Sequence, residues 1–422
     1  MNHTVLANGV DGLFVENKRF NTTLISFNFY LPLTEDKLSV NSLLPYVLSS
    51  CSDKYKTFTE LNLALNMLYG ADLSVSVNKV GDAQLIKMAI AVINDEYSLT
   101  GESVIEKATE LLMELIFNPK ISNEKFDAID TEREKRKARE HILGEINDKR
   151  RYARKRLIEE MFKGSAYAQS VYGTVQMLDK VTGKDLYDAW QNILKHAYVR
   201  VQLVGETLPN GFFEKISNKF NTFVRNVTND FKYVNHLESK EYVTNVTETM
   251  SVAQGKLVMG FTSELWGPNA YALTVAADIF GGGTYSGLFA NVREKMSLCY
   301  YCSASANRNK GYVMVDSGVE FDKAETAKTE ILNQLQRVKD GDFDEFTHSA
   351  SIKNISNMLM SSYDSLGALE NWYASNIFSE EIKTPEEVAK IISSVTREDI
   401  ISAANGIKLN TVYSLVGEQG GK

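Results

Sequence analysis

The sequence predicts an α+β fold of two homologous domains, each an antiparallel sheet covered by helices. Two observations predict it. First, the chain is written twice. Val181, Thr182, Asp185 and Ala189 recur as Val395, Thr396, Asp399 and Ala403, an offset of 214. Leu203, Val204, Gly205 and Glu206 recur as Leu415, Val416, Gly417 and Glu418, an offset of 212. Second, each half runs from strand patterns of period two into helical stripes, with hairpin signals between strands. A chain of 422 residues also exceeds what one hydrophobic core sustains. The predicted division is 1–206, a linker at 207–241, and 242–422.

The elements follow in order. Ile25, Phe27, Phe29 and Leu31 alternate with Ser26, Asn28 and Tyr30, which reads as a half-buried strand. Ala71, Leu73, Val75 and Val77 alternate with polar residues, and a second run covers Leu85 to Ile93. Gly81-Asp82 between them predicts a hairpin. Ser103 and Glu106 have capping-box spacing, and Val104, Ala108, Leu111 and Leu115 form an apolar stripe behind them. In the second half Gly311 to Val319 reads as a strand. Asp322 and Glu325 read as a cap, followed by the stripe Ala324, Ala327, Ile331, Leu335 and Val338. Further helices open near Phe126 and Phe346. Between the halves, Pro209-Asn210-Gly211 breaks the chain and a modest helix is expected near 212–225.

Composition narrows the function. The chain is 44% hydrophobic and 24% charged, as in soluble globular proteins. It has no long uncharged apolar run, so no membrane span is expected. The start MNHTVLANGV lacks a basic region followed by an apolar block. A net charge of −8 argues against general nucleic-acid binding. Three cysteines, Cys51, Cys299 and Cys302, do not make a disulfide framework, and a cytoplasmic location is expected.

Self-sufficient chemistry is hard to find. The histidines His3, His141, His196, His236 and His348 contain no helical metal-ligand pair. Cys299-Tyr300-Tyr301-Cys302 has redox-dithiol spacing but reads as a strand, where positions three apart point to opposite faces. Phe280-Gly281-Gly282-Gly283-Thr284 lacks the Gly-Lys-Ser/Thr ending of a phosphate loop and reads as a flexible loop or a substrate-contact loop. The basic run Lys149, Arg150, Arg151, Arg154, Lys155 and Arg156 reads by default as a solvated helical face, the alternative being a dock for an acidic partner. Ser49-Ser50-Cys51-Ser52 is not a nucleophile elbow, for it lacks the flanking glycines.

The run IFGGGTYSGLFANVREKMSLCYYCSAS resembles a motif of the pitrilysin/insulinase family of zinc metallopeptidases. Gly282, Gly283, Ser286, Leu288, Phe289, Arg293, Glu294, Leu298 and Tyr300 match its order and spacing. The resemblance covers the whole chain, since members are built from two similar α+β halves. It implies a zinc site in the first half, His-x-x-Glu-His plus a distant Glu, with the motif Glu activating water. The matching segment here is Asn41 to Ser49. Pro45 and Ser49 fall at the two His positions and Leu48 at the Glu. Proline and leucine offer neither a metal donor nor a proton acceptor. Glu132, Glu134 or Glu140 would be the distant Glu.

The resemblance therefore implies the non-catalytic subunit of a two-chain peptidase of the kind found in bacteria. No zinc is expected on this chain; zinc is expected on an active partner of the same family. Arg293, Tyr300, Gly282 and Gly283 would contact a peptide substrate. The pathways implied are peptide maturation or modification of elongation factor P. Two readings compete. One is an active peptidase with relocated metal ligands near His141. The other is a peptide-binding or scaffold protein.

Overall fold

The fold was obtained as a computed structural model that describes residues 1–227 and 236–417. Its first six strands are β1 Asn2–Ala7, β2 Val10–Glu16, β3 Thr22–Pro32, β4 Asp72–Val80, β5 Ala83–Ile93 and β6 Ile121–Ser122. The others are β7 Lys125–Phe126, β8 Tyr198–Gly205, β9 Thr244–Met250, β10 Gly255–Ser263, β11 Cys299–Asn307, β12 Tyr312–Val319 and β13 Ile407–Gly417. Helices α1 to α7 are Leu38–Leu48, Phe58–Met67, Val104–Phe117, Ala128–Gly144, Lys149–Met161, Val175–Lys180 and Gly183–His196. Helices α8 to α14 are Phe212–Phe220, Tyr271–Gly281, Ala324–Lys339, Glu345–Met360, Leu366–Ser375, Pro385–Ser393 and Arg397–Asn405.

The residues gather into two compact units. Of the described residues, one unit contains 1–143, 169–227 and 363–375; the other contains 144–168, 236–362 and 376–417. The first sheet has the order β1-β2-β8-β3-β5-β4, and the second β11-β12-β10-β13-β9. Read from β4, the first gives the same plan as the second, with β1 added at the far edge. Each sheet is antiparallel except for one pair, β2 with β8 and β13 with β9, at the same place in the order. The predicted α+β class is therefore observed, written twice.

The repeated words are repeated structure. Thr182 and Asp185 form a reciprocal capping box at α7, and Thr396 and Asp399 form the same box at α14. Each helix feeds a central strand, β8 or β13, that ends in the repeated Gly205 or Gly417. Glu418 lies outside the described residues. Gly81-Asp82 joins β4 and β5 with Val80 paired to Ala83. Gly81 takes φ +56, a region that glycine enters without steric cost. The Ser103 side chain accepts from the Glu106 amide and caps α3, whose stripe Val104, Ala108, Leu111 and Leu115 is buried. The expected Asp322 cap is not formed. A 3₁₀ turn at Phe321–Lys323 leads straight into α10, whose cap residue is Lys323, without a side-chain hydrogen bond. In the intervening segment α8 is shorter than expected, and its Phe212, Ile216 and Phe220 join the core of the first unit.

The strand β3 is not half-buried. Every residue from Thr23 to Leu31 is buried. Ile25, Phe27 and Phe29 enter the aliphatic core with α1 and α3. The opposite face meets α12, contributed by a segment far along the chain. Ser26 and Asn28 donate to Glu370 at 2.7 and 2.8 Å, Gln202 donates at 3.3 Å, and Tyr30 donates to the Ala374 carbonyl at 2.7 Å. Lys87 pairs with the same Glu370 carboxylate. The polar pattern that suggests solvent here belongs to a buried network, in which Asn28 Oδ1 and Gln202 Oε1 alone among the named side chains keep an unpartnered acceptor.

In the second unit α5 does the same work on β10 and β13. Tyr152 and Tyr413 donate to Glu248, each at 2.7 Å, and Arg156 donates to it at 3.2 Å. Arg150 reaches Asp316 at 2.6 Å and lies 4.2 Å from the Tyr301 ring centre. Much of the basic run is thus a fastening of α5 to its own sheet. The face is both solvated and fastened: Arg150, Arg151 and Arg154 are exposed, while Lys149, Lys155 and Arg156 are partly buried.

Candidate functional site

In the first unit α1 carries the residues at the zinc-signature positions. The helix forms although Pro45 sits inside it, and all but Tyr46 of its eleven residues are buried. Leu48 lies fully in the core. The Ser49 hydroxyl donates to the Tyr46 carbonyl at 3.0 Å, which satisfies it within its own helix end. Pro45 presents only carbon on its side chain.

Glu134, on α4, is the buried candidate for the distant carboxylate. Lys137 binds both its oxygens, at 2.9 and 3.1 Å, and Arg133 holds one of them at 2.9 Å. Those cations occupy the place in the charge balance that a metal would otherwise take. Glu132 pairs with Lys135 at 2.8 Å, and Glu140 is exposed. Tyr46, Glu134, Lys137, Ala138, His141 and Tyr172 enclose a cavity of about 360 Å³. Its tyrosine hydroxyls lie 3.3 Å apart, and His141 meets the Tyr172 ring edge-on at 4.8 Å between centres. Burial first, then the Tyr172 hydroxyl, raises the Tyr46 phenol well above its ordinary value, so it stays protonated. Among the described residues, no group of three or more His, Cys, Asp or Glu is placed to hold a metal ion. This donor set does not fit catalytic zinc, which wants three protein ligands and an open position. The relocated site sketched around His141 finds one imidazole and one already paired carboxylate. Tyr46, Tyr172 and the Glu134–Lys137 pair escaped the sequence reading, although the i,i+3 spacing of Glu134 and Lys137 is a signal that could have found the pair.

In the second unit the glycine run ends α9. None of Gly281, Gly282 and Gly283 takes a positive φ, so close approach is their reason. A Cβ on Gly281 would lie 2.5 Å from the Ala304 amide nitrogen of β11. A Cβ on Gly282 would meet the Asp278 carboxylate at 2.0 Å. That carboxylate accepts from Asn354 at 2.9 Å and from the Tyr285 hydroxyl. Nothing in the sequence singled out Asp278. The Ser286 hydroxyl donates to the Gly283 carbonyl at 2.6 Å and closes the turn.

Residues 288–295 then form a π-helix, a rare conformation. The motif positions Leu288 and Leu298 are buried, as is Val292 between them. Arg293 is partly exposed. Its guanidinium lies 4.6 Å from the Phe289 ring centre, and its ion pair is with neighbouring Glu294 at 3.5 Å, both side chains open to solvent. Ser297 turns the chain at φ +49 into β11, where Tyr300 is 77% exposed. A guanidinium and a phenol so presented are hydrogen-bond donors available to carbonyl or carboxylate oxygens.

A sequence profile of the Peptidase M16 inactive domain matches residues 180–355. The "Probable inactive metalloprotease YmfF" of Bacillus subtilis (strain 168) is 33% identical over 415 residues, 98% of this chain and 97% of that one. A conserved protein from Enterococcus faecalis V583 has a solved structure with a TM-score of 0.89 at 25% identity, covering 100% of this chain and 99% of that one. The peptidase M16 inactive domain from Pseudomonas fluorescens shares the fold, with a TM-score of 0.77 at 16% identity over 100% and 99% of the two chains.

Proposed function

The chain belongs to the M16 peptidase family, the pitrilysin/insulinase metallopeptidases, and from that premise we propose that it is the non-catalytic subunit of a heterodimeric zinc metallopeptidase. The observation that carries this reading is a split between the halves. The first half has Pro45, Leu48 and Ser49 where the chemistry would need two imidazoles and a carboxylate, and its Glu134 is spent on Lys137 and Arg133. The second half keeps Arg293 and Tyr300 unburied, following the Gly282-Gly283 turn in sequence. An active partner of the same family would bring zinc and activate water. This chain would close the peptide chamber and hold a substrate carbonyl or carboxylate through Arg293 and Tyr300.

The likeness to a relative named a probable inactive metalloprotease supports the same reading. The work is proposed to be cytoplasmic and to concern peptides; among the described residues no helix is long and apolar enough to cross a membrane.

Native mass spectrometry of the protein recovered from its own cells tests the proposal. The expected result is a 1:1 complex with a second family member, with zinc on that member and none on this chain. A lone chain carrying zinc, and cleaving peptides until a chelator is added, overturns it.

A further inference from the structure

The strand β11 begins with an irregularity that reverses the meaning of Cys299-Tyr300-Tyr301-Cys302. Cys299 pairs with Val319, Tyr301 with Gly318 and Cys302 with Ser317. Three steps along β11 therefore match two along β12. Tyr300 is the extra residue of a β-bulge. Two steps on a strand return to the same face, so Cys299 and Cys302 share a face. The expectation that they point apart fails because it assumed an unbroken strand.

The two thiols influence one another's protonation, and their settings differ. Cys302 is buried, whereas Cys299 is partly open. The neighbouring Cys302 thiol first, and the Arg293 charge after it, hold the Cys299 thiol below its ordinary value despite burial. The Cys299 thiol first, and then burial, push Cys302 up. An accessible, thiolate-prone sulfur beside a second, shielded one is the arrangement of an attacking and a resolving cysteine. Cys51, the third cysteine, is buried and its thiol is raised, first by that burial.

We propose that Cys299 and Cys302 are a reversible dithiol–disulfide couple, a modification site whose closed form rings Tyr300 and Tyr301. The oxidant class is a low-molecular-weight disulfide. The Cys299 thiolate attacks one sulfur of that disulfide and expels one thiolate, which takes a proton from water. Cys302 loses its proton to solvent and attacks the Cys299 sulfur, expelling the second thiolate. Two protein thiols become one S–S bond, and one external disulfide becomes two thiols. Reversal by the same thiols suits a reducing compartment, where protein disulfides are transient.

The test is equilibration of the full chain with oxidised and reduced glutathione at graded ratios, acid quenching, differential alkylation and peptide mass analysis. The expected product has lost two hydrogens on the peptide holding Cys299 and Cys302, while Cys51 remains alkylatable after unfolding. Cys302→Ser should stall as a glutathione adduct on Cys299. Cys299→Ser should leave Cys302 an unmodified thiol. Two free thiols at 299 and 302 in the most oxidising buffer, or a wild-type chain that stops at the glutathione adduct, overturns the couple.

Discussion

Ser26 and Glu370 lie 344 residues apart in sequence and 2.7 Å apart in the fold, the serine hydroxyl donating to the carboxylate. That bond belongs to a set in which Asn28, Gln202 and Lys87 also address Glu370. Removing the carboxylate leaves a buried ammonium without its countercharge. Glu370→Ala should cost about 3 kcal/mol or more in unfolding free energy, read from denaturant midpoints. Replacing the pair together, Glu370→Leu with Lys87→Met, should recover part of that loss. Equal destabilisation by single and double variants would show that the ion pair is not the cause.

Glu248 offers a pH signature. Burial raises its carboxyl, and donation from Tyr152, Tyr413 and Arg156 more than offsets this, so the folded value lies below the ordinary 4.5. A depressed carboxyl stabilises the fold fully above its unfolded value and loses that contribution as pH falls through the folded one. Stability should therefore drop as pH falls below about 4.5. Glu248→Gln should be less stable at neutral pH and lose less on acidification. Thermal unfolding across pH checks this; parallel acid limbs would remove the assignment.

Two glycines should respond with opposite signs. Gly281→Ala drives a Cβ against the β11 backbone, which has no side-chain rotamer to give, and should cost about 2 kcal/mol. Gly144→Ala meets nothing within 4 Å, at right-handed helical angles, and should stabilise by about 0.5 kcal/mol through the unfolded chain. Denaturant titrations of both variants settle the contrast.

Arg293→Ala should leave stability almost unchanged, because its guanidinium is partly exposed and its ion pair is with a neighbour. In the reconstituted complex it should lower the partner's kcat/KM roughly tenfold, the scale of one lost transition-state contact. Unchanged kinetics would leave the chain a scaffold for its partner.

Much of the architecture was legible. The Thr182/Asp185 and Thr396/Asp399 boxes name themselves in sequence because capping is local chemistry, and β3 was visible from its alternation. Its second buried face was not, since a pattern of period two reports side-chain polarity and not what covers it. Helix α12 covers it, and no short-range signal links Glu370 to Ser26 and Asn28. The bulge at Tyr300 was hidden for a related reason: register belongs to two strands at once, and one sequence segment shows only its own side. At the candidate site the missing donors at Pro45 and Leu48 were plain from residue type. The pairing of Glu134 with Lys137 and Arg133 needed the helix to exist.

The helix on the second face of β3 also sets an order of events during synthesis. Residues 1–143 and 169–227 leave the ribosome long before 363–375, which belong to the same unit. Until that late helix emerges, Ser26, Asn28, Lys87 and Gln202 have no Glu370 carboxylate to address. By then the segment holding most of the second unit, 236–362, has already been made. The unit that begins first is therefore completed only after most of the other has been synthesised.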